Sequence, residues 1–136
     1  MKIKMMLCSV VLGSSSLIAV NAQALVAATP EEAVKGSFST LLTDDENGFI
    51  DLIQMPQELS SLTIKQQGDA KHQMFAGMQR AVKQDGGLKT LDVDKAQAGK
   101  DSVHMQVHYK AVTLGGQVHE EDVPVVKVGN GWKVGQ

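Results

Sequence analysis

The chain has 136 residues, 43% of them hydrophobic, and a formal net charge of −2. That is enough chain for one domain whose core needs no disulfide staples. With a single arginine (Arg80) and no basic cluster, it lacks the phosphate-neutralising charge that nucleic-acid binding requires. Its five aromatic residues are too few to furnish both a core and an exposed stacking platform.

The first segment has the three-part layout of a secretory leader. Lys2 and Lys4 precede an uncharged run from Met5 to Val20, and Ala22 and Ala24 stand at −3 and −1 of a cut after Ala24. That run of 16 residues is shorter than the ~20 that span a bilayer as a helix, which disfavours a retained membrane anchor. A second cut after Ala28 is the alternative. Cys8, the only cysteine, sits near the start of the apolar run rather than after it. It therefore reads as a leader residue and not as a lipid-anchor cysteine. The expectation is a signal peptide over 1–24 and a single, cysteine-free α+β domain over 25–136. A chain without thiols suits the periplasm or the cell exterior.

Thr29-Pro30-Glu31-Glu32 predicts a helix start: a capping threonine, proline in the first turn, and a glutamate to close a capping box. Val34, Phe38, Leu41 and Leu42 then mark one helical face. The acidic stretch Asp44–Gly48 has the composition of a calcium loop but not its twelve-residue spacing, so it reads as a turn between helices. Phe49, Ile50, Leu52 and Ile53 give a short second helix, stopped at Met55-Pro56. Ile64, Met74, Phe75, Met78, Ala81 and Val82 share a face of a third, firm over Asp69–Lys83. Its start falls near Ser61 or Thr63; because Gly68 weakens this beginning, a loop over Ser61–Gly68 is the alternative.

From Leu88 the period changes to two. Leu88, Leu91 and Val93 form a first strand, and Ala98–Asp101 a turn. In the strand Ser102–Thr113, Val103, Met105, Val107, Tyr109 and Ala111 face one way, and His104, Gln106, His108 and Lys110 the other. Leu114-Gly115-Gly116 turns the chain into Gln117–Val128, where Pro124 favours an edge or a bulge. Trp132–Gly135 is a last short strand. A three-residue hairpin loop sets Val107 opposite Val123, Met105 opposite Val125, Lys110 opposite Glu120 and His108 opposite Asp122. Apolar then meets apolar and opposite charges meet.

Chemistry-bearing constellations are sparse. His104 and His108 are four residues apart on a strand, about 13 Å, too far to share one metal ion. His108 with Asp122 resembles a base and its orienting carboxylate, but no nucleophile is identifiable beside them. His72 and His119 fall in no constellation. Glu120-Glu121-Asp122 reads as a solvated strand edge. Met74, Phe75 and Met78, with Met105 and Tyr109 on the inner strand face, form a candidate apolar ligand pocket. His104, His108, Lys110, Glu120 and Asp122 form a candidate partner surface. No cofactor or metal is called for.

The segments "TPEEAVKGSFSTLL", "GGLKTLDV", "DSVHMQVHYKAV" and "GNGWKVG", in that order, resemble a bacterial family of unknown function found in small secreted proteins and lipoproteins. That family lies in the nuclear transport factor 2-like, or cystatin-like, cone superfamily. The resemblance covers about Thr29 to Val134. It implies N-terminal helices packed on a curved four-stranded antiparallel sheet, with Trp132 against the core. It leaves an enzyme pocket, a ligand pocket and a dimer surface all open. Catalytic members place Asp, His or Tyr inside the cone; here the inner face offers Tyr109 alone.

These features point to a soluble periplasmic or secreted domain that acts by binding another protein or a small apolar ligand, rather than by catalysis. The alternatives are an immunity or inhibitor protein against a periplasmic toxin or hydrolase, and a small-pocket enzyme using Tyr109 and His108. A homodimer through the sheet is compatible with the superfamily. The leader assignment predicts that protein purified from the cell envelope has the denatured mass of Leu25–Gln136, 112 residues, by mass spectrometry. A mass that retains Cys8 would contradict it.

Overall fold

A computed structural model describes residues 24–136; apart from Ala24 the expected leader, with Cys8, lies outside the described residues. Three helices come first: α1 (Pro30–Leu42), α2 (Glu46–Leu52) and α3 (Ile64–Lys83). Strands β1 (Leu88–Val93), β2 (Gln97–Asp101), β3 (His104–Thr113), β4 (Val118–Val128) and β5 (Gly131–Val134) follow. All pair antiparallel in the order β1-β3-β4-β5, with β2 also on β3. β1 covers β3 from Tyr109 to Thr113 and β2 covers it from His104 to Gln106, so the two share one interrupted edge. The result is an α+β fold of helices on a curled antiparallel sheet.

Local chemistry sets each helix start. Thr29 Oγ1 accepts the Glu32 N–H at 3.1 Å. The Glu32 carboxylate reaches one residue past the expected box and accepts the Ala28 N–H at 3.1 Å. Asp45 caps α2 by accepting the Gly48 N–H at 3.0 Å, which gives the acidic stretch its role as a helix-to-helix turn. Thr63 and Gln66 form a reciprocal capping box at the start of α3, both bonds at 3.1 Å. That box fixes the helix start at the expected Thr63 and rules out the alternative loop over Ser61–Gly68. Two stabilised N-terminal donors outweigh the roughly 1 kcal/mol cost of Gly68 in a helix. A 3-10 turn over Gln57–Ser61 precedes it.

Two apolar clusters hold the fold, and α1 contributes to both. Ala33 and Val34 of α1 meet Ala27, Leu52, Val107 and Val125, with Trp132 packed against them. Leu41 meets Phe49 and Phe75, whose rings stand edge to face at 5.5 Å. Gly36 lets α2 approach; a Cβ there would lie 2.8 Å from Leu52 Cδ1. Several members of the expected helical faces are exposed, Met78 and Ala81 of α3 among them. Leu42 is exposed at the end of α1, and Ile64 is 89% exposed in the first turn of α3. Ser37 and Thr40 are buried on α1 instead, because each hydroxyl donates to a carbonyl one turn back, at 2.8 and 2.7 Å.

The β3–β4 register is the expected one, including Val107↔Val123, Met105↔Val125, His108↔Asp122 and Lys110↔Glu120. The expected turn at Ala98–Asp101 is strand β2, and the reversal falls at Asp101–His104. Asp101 explains the shift. Its carboxylate accepts the Val103 N–H at 2.9 Å, closing a tight side-chain turn. Val103 therefore leaves the inner face and is 39% exposed. Gly99 sits at the adjoining register shift, where a Cβ would collide with the His104 carbonyl. Pro124 lies in β4 just past its ladder with β5, and its carbonyl accepts the Gly135 N–H at 2.8 Å.

Phe49→Ala should lower unfolding stability by about 3–5 kcal/mol, whereas Ile64→Ala should change it by no more than about 0.5 kcal/mol. Urea melts followed by Trp132 fluorescence compare them, and similar midpoints would refute the two-cluster description.

Candidate functional site

Helix α3 packs on α1 and α2 through Phe75, with Met74 and Val82 beside the same cluster. The sheet packs on α1 through Val107 and Val125. Between the far end of α3 and the upper sheet the chain leaves a cleft of about 660 Å³. Met78, Ala81 and Val82 line it from α3, and Val34, Phe38 and Leu41 from α1. On the sheet side it meets Tyr109, Ala111 and Thr113 of β3 and the Val118–Glu121 stretch of β4. The hairpin at its mouth is held down: the Thr113 hydroxyl donates to the Asp85 carboxylate, and the Gly115 N–H donates to the Asp85 carbonyl at 3.0 Å. Asp85 takes a left-handed conformation, φ 56°, to make both contacts.

The expected pocket is divided by the structure. Met78 and Tyr109 line the cleft. Phe75 is enclosed in the helical cluster and Met74 packs against that cluster. Met105 stands towards the other end of β3, opposite Ala98 and Val125. Tyr109 meets Phe38 edge to face, centroids 5.1 Å apart. Burial, and secondarily the charge of Glu121, push its phenol above the usual range, so it stays protonated at neutral pH.

Strand parity brings in residues that reading by motif overlooked. Glu121 lies opposite Tyr109, and His119 opposite Ala111. Both line the cleft, so its polar content exceeds the single tyrosine expected. The signal was the alternation 119, 121, 123, 125 leading to buried Val125. The compact acidic run hid it.

The expected partner surface lies on the other side of β3 and β4. His108 Nδ1 is 2.8 Å from Asp122 Oδ1, and its Nε2 is 3.4 Å from Glu120 Oε1. His104 Nδ1 is 2.7 Å from Asp101 Oδ1. Lys110 faces Glu120 in register, but no ion pair within 4.0 Å joins them among the described residues. His108 and Tyr109 thus occupy opposite faces of the sheet. Of the two sheet edges, β5 is covered by the Ala27 and Ile53 bridges, while the β1 side carries no further strand among the described residues. No group of three His, Cys, Asp or Glu is arranged to hold a metal ion among those residues. No described helix is long and apolar enough to cross a membrane.

The curled antiparallel sheet with its helices defines the NTF2-like cone class of fold. Two solved structures share it. One is a Campylobacter jejuni protein described as an NTF2-like transpeptidase, with a TM-score of 0.57 and 17% identity over 77% of this chain and 95% of the other. The second is a SEC-C motif containing protein from Psychrobacter arcticus, with a TM-score of 0.54 and 23% identity over 85% of this chain. The chain spans 63% of that second protein's length. No protein-family model and no curated protein sequence matches the chain.

The His108 pair has a pH signature. Hydrogen bonds that His108 donates to Asp122 and, secondarily, to Glu120 raise its pKa above the usual 6.5. A raised histidine stabilises the fold fully below its unfolded value, and that contribution fades as pH rises through the folded pKa. A proton NMR titration should place His108 above 6.5, and Asp122→Asn should bring it down. An unshifted His108 in the native protein would contradict the pairing.

Proposed function

We propose that this protein is a periplasmic or secreted, non-catalytic binding domain that holds a small, mainly apolar ligand in the cleft between α3 and the sheet. The carrying observation is the make-up of the cleft. Its walls are Val34, Phe38, Leu41, Met78, Val82 and Ala111, and its polar groups do not connect into a reacting set. Ligand sites have this form: apolar walls with a few placed polar groups.

A catalytic reading needs a nucleophile or a base in hydrogen-bond reach of its partner. Ser37 lines the cleft, but its hydroxyl is engaged by the Val34 carbonyl at 2.8 Å. The Tyr109 phenol is held neutral, which makes it a poor base. No hydrogen bond joins Tyr109, His119 and Glu121 among the described residues, and His108 faces away from the cleft with Asp122. The transpeptidase description belongs to the Campylobacter jejuni protein. At 17% identity its likeness carries the fold to this chain and no chemistry.

The neutral fluorophore N-phenyl-1-naphthylamine should bind with one-to-one stoichiometry and brighten. Ala81→Trp, which fills the cleft from α3, should weaken that binding by about tenfold, equivalent to about 1.4 kcal/mol. Tyr109→Phe and His108→Ala should leave it within about twofold, since neither removes apolar wall. Unchanged binding to the Ala81→Trp protein would move the site elsewhere.

A further inference from the structure

We infer that the cleft selects an amphiphilic cation: an apolar stem carrying a primary ammonium or similar head, in preference to a neutral or anionic amphiphile. This rests on the cleft being a ligand site. The cleft is lined by two carboxylates, Glu120 and Glu121, and by His119, with no lysine or arginine among its lining residues.

The two carboxylates differ in their commitments. Glu120 lies 3.4 Å from His108 and opposite Lys110, so much of its charge is answered on the outer face of the sheet. Glu121 has no hydrogen-bond or ion-pair partner among the described residues. It sits opposite Tyr109 across the β3–β4 pair, on the cleft side. Its field reaches the cleft: it contributes to raising the Tyr109 phenol. Glu121 is exposed in the empty domain; once an apolar stem displaces the water beside it, the carboxylate attracts a cation more strongly than the same group in open water.

The rest of the lining suits the same ligand. The Tyr109 and Phe38 rings present aromatic surface to the cleft, and ring faces attract ammonium groups. The Tyr109 oxygen can accept a hydrogen bond from the head group. Beyond them, Met78 and Val118 stand 47% and 53% exposed at the cleft, apolar surface that an alkyl stem would cover. An anionic head would face Glu120 and Glu121 with no lysine or arginine in the lining to answer it. The charge pattern thus commits the cleft to a cationic small molecule.

The test uses protein expressed from the full sequence and three probes of equal stem length: decylammonium, decanol and decanoate. Isothermal titration gives affinities, and NMR shifts at Tyr109, Ala111 and Met78 report whether the probe is in the cleft. Decylammonium should bind about fivefold tighter than decanol, and decanoate weaker than both, as expected for partly exposed charge pairs. Glu121→Gln should reduce the preference for decylammonium over decanol, both measured on that variant, to about twofold or less. The preference should shrink in 0.5 M salt, as a screened charge effect does. Glu58→Gln removes one negative charge from an exposed position outside the cleft and should leave the preference intact. If all three probes bind the cleft equally, the charge selectivity is wrong and the ligand site stands. If none perturbs the cleft residues, both fall. If Glu58→Gln abolishes the preference as Glu121→Gln does, the attraction is to net charge and the inference is overturned.

Discussion

Everything in this structure depends on α1 being buried from two sides at once. Val34 and Ala33 face the sheet, and Leu41 faces α2 and α3. A helix so enclosed has no room for an unsatisfied polar group, yet Ser37 and Thr40 lie on its buried surface. Their hydroxyls donate to Val34 and Ser37 carbonyls of the same helix, which removes the desolvation cost. Short polar side chains satisfied internally also take little volume. The sheet, α2 and α3 can then close around α1 without α3 having to close on the sheet.

The cleft follows from that arrangement. Phe75 anchors α3 to the helical cluster rather than to the strands. The curl of the sheet carries β3 and β4 past α1, so their upper halves face α3 across a gap. A single continuous core would have filled this space with side chains. Here the two clusters divide the work of stabilisation. The remaining apolar wall is free to take a ligand, while the Asp85–Thr113 contact keeps the hairpin at the mouth from collapsing inward or swinging away.

Much of the fold was legible because two periodicities and one register left little freedom. The hairpin could be aligned from Val107, Lys110, Glu120 and Val123 alone, since a one-residue slip would expose the valines and oppose unlike partners. β2 was not legible. Gln97–Asp101 has no alternation and is exposed throughout, so nothing in its composition distinguishes an edge strand from a turn. It is ordered by the β3 backbone and by the close approach at Gly99. The start of α3 was legible only as a choice: Gly68 argues for a loop over Ser61–Gly68, and the Thr63–Gln66 capping box decides for a helix from Thr63. The candidate pocket was half legible. Met78 and Tyr109 belong to the cleft, but the face of α3 that carries Phe75 is spent on the helical cluster. Helical spacing identifies a buried face without saying whether a helix or a void lies across it.

The strand β4 shows how a short acidic run can serve two surfaces. Its side chains alternate, so Glu120 and Asp122 project with His108 and Lys110, while His119 and Glu121 project with Tyr109 and Ala111. On the first side the charges are matched: His108 bridges Asp122 and Glu120, and the pairing raises its own pKa. On the second side no such match exists among the described residues, and the Glu121 charge acts on a phenol instead. Neutralising one face while leaving the other charged costs little stability at an exposed strand end, where solvent screens the unpaired group. The same group gains strength once an apolar ligand displaces that solvent. On the proposed reading, a carboxylate placed in this way does little in the empty domain and sets selectivity in the filled one.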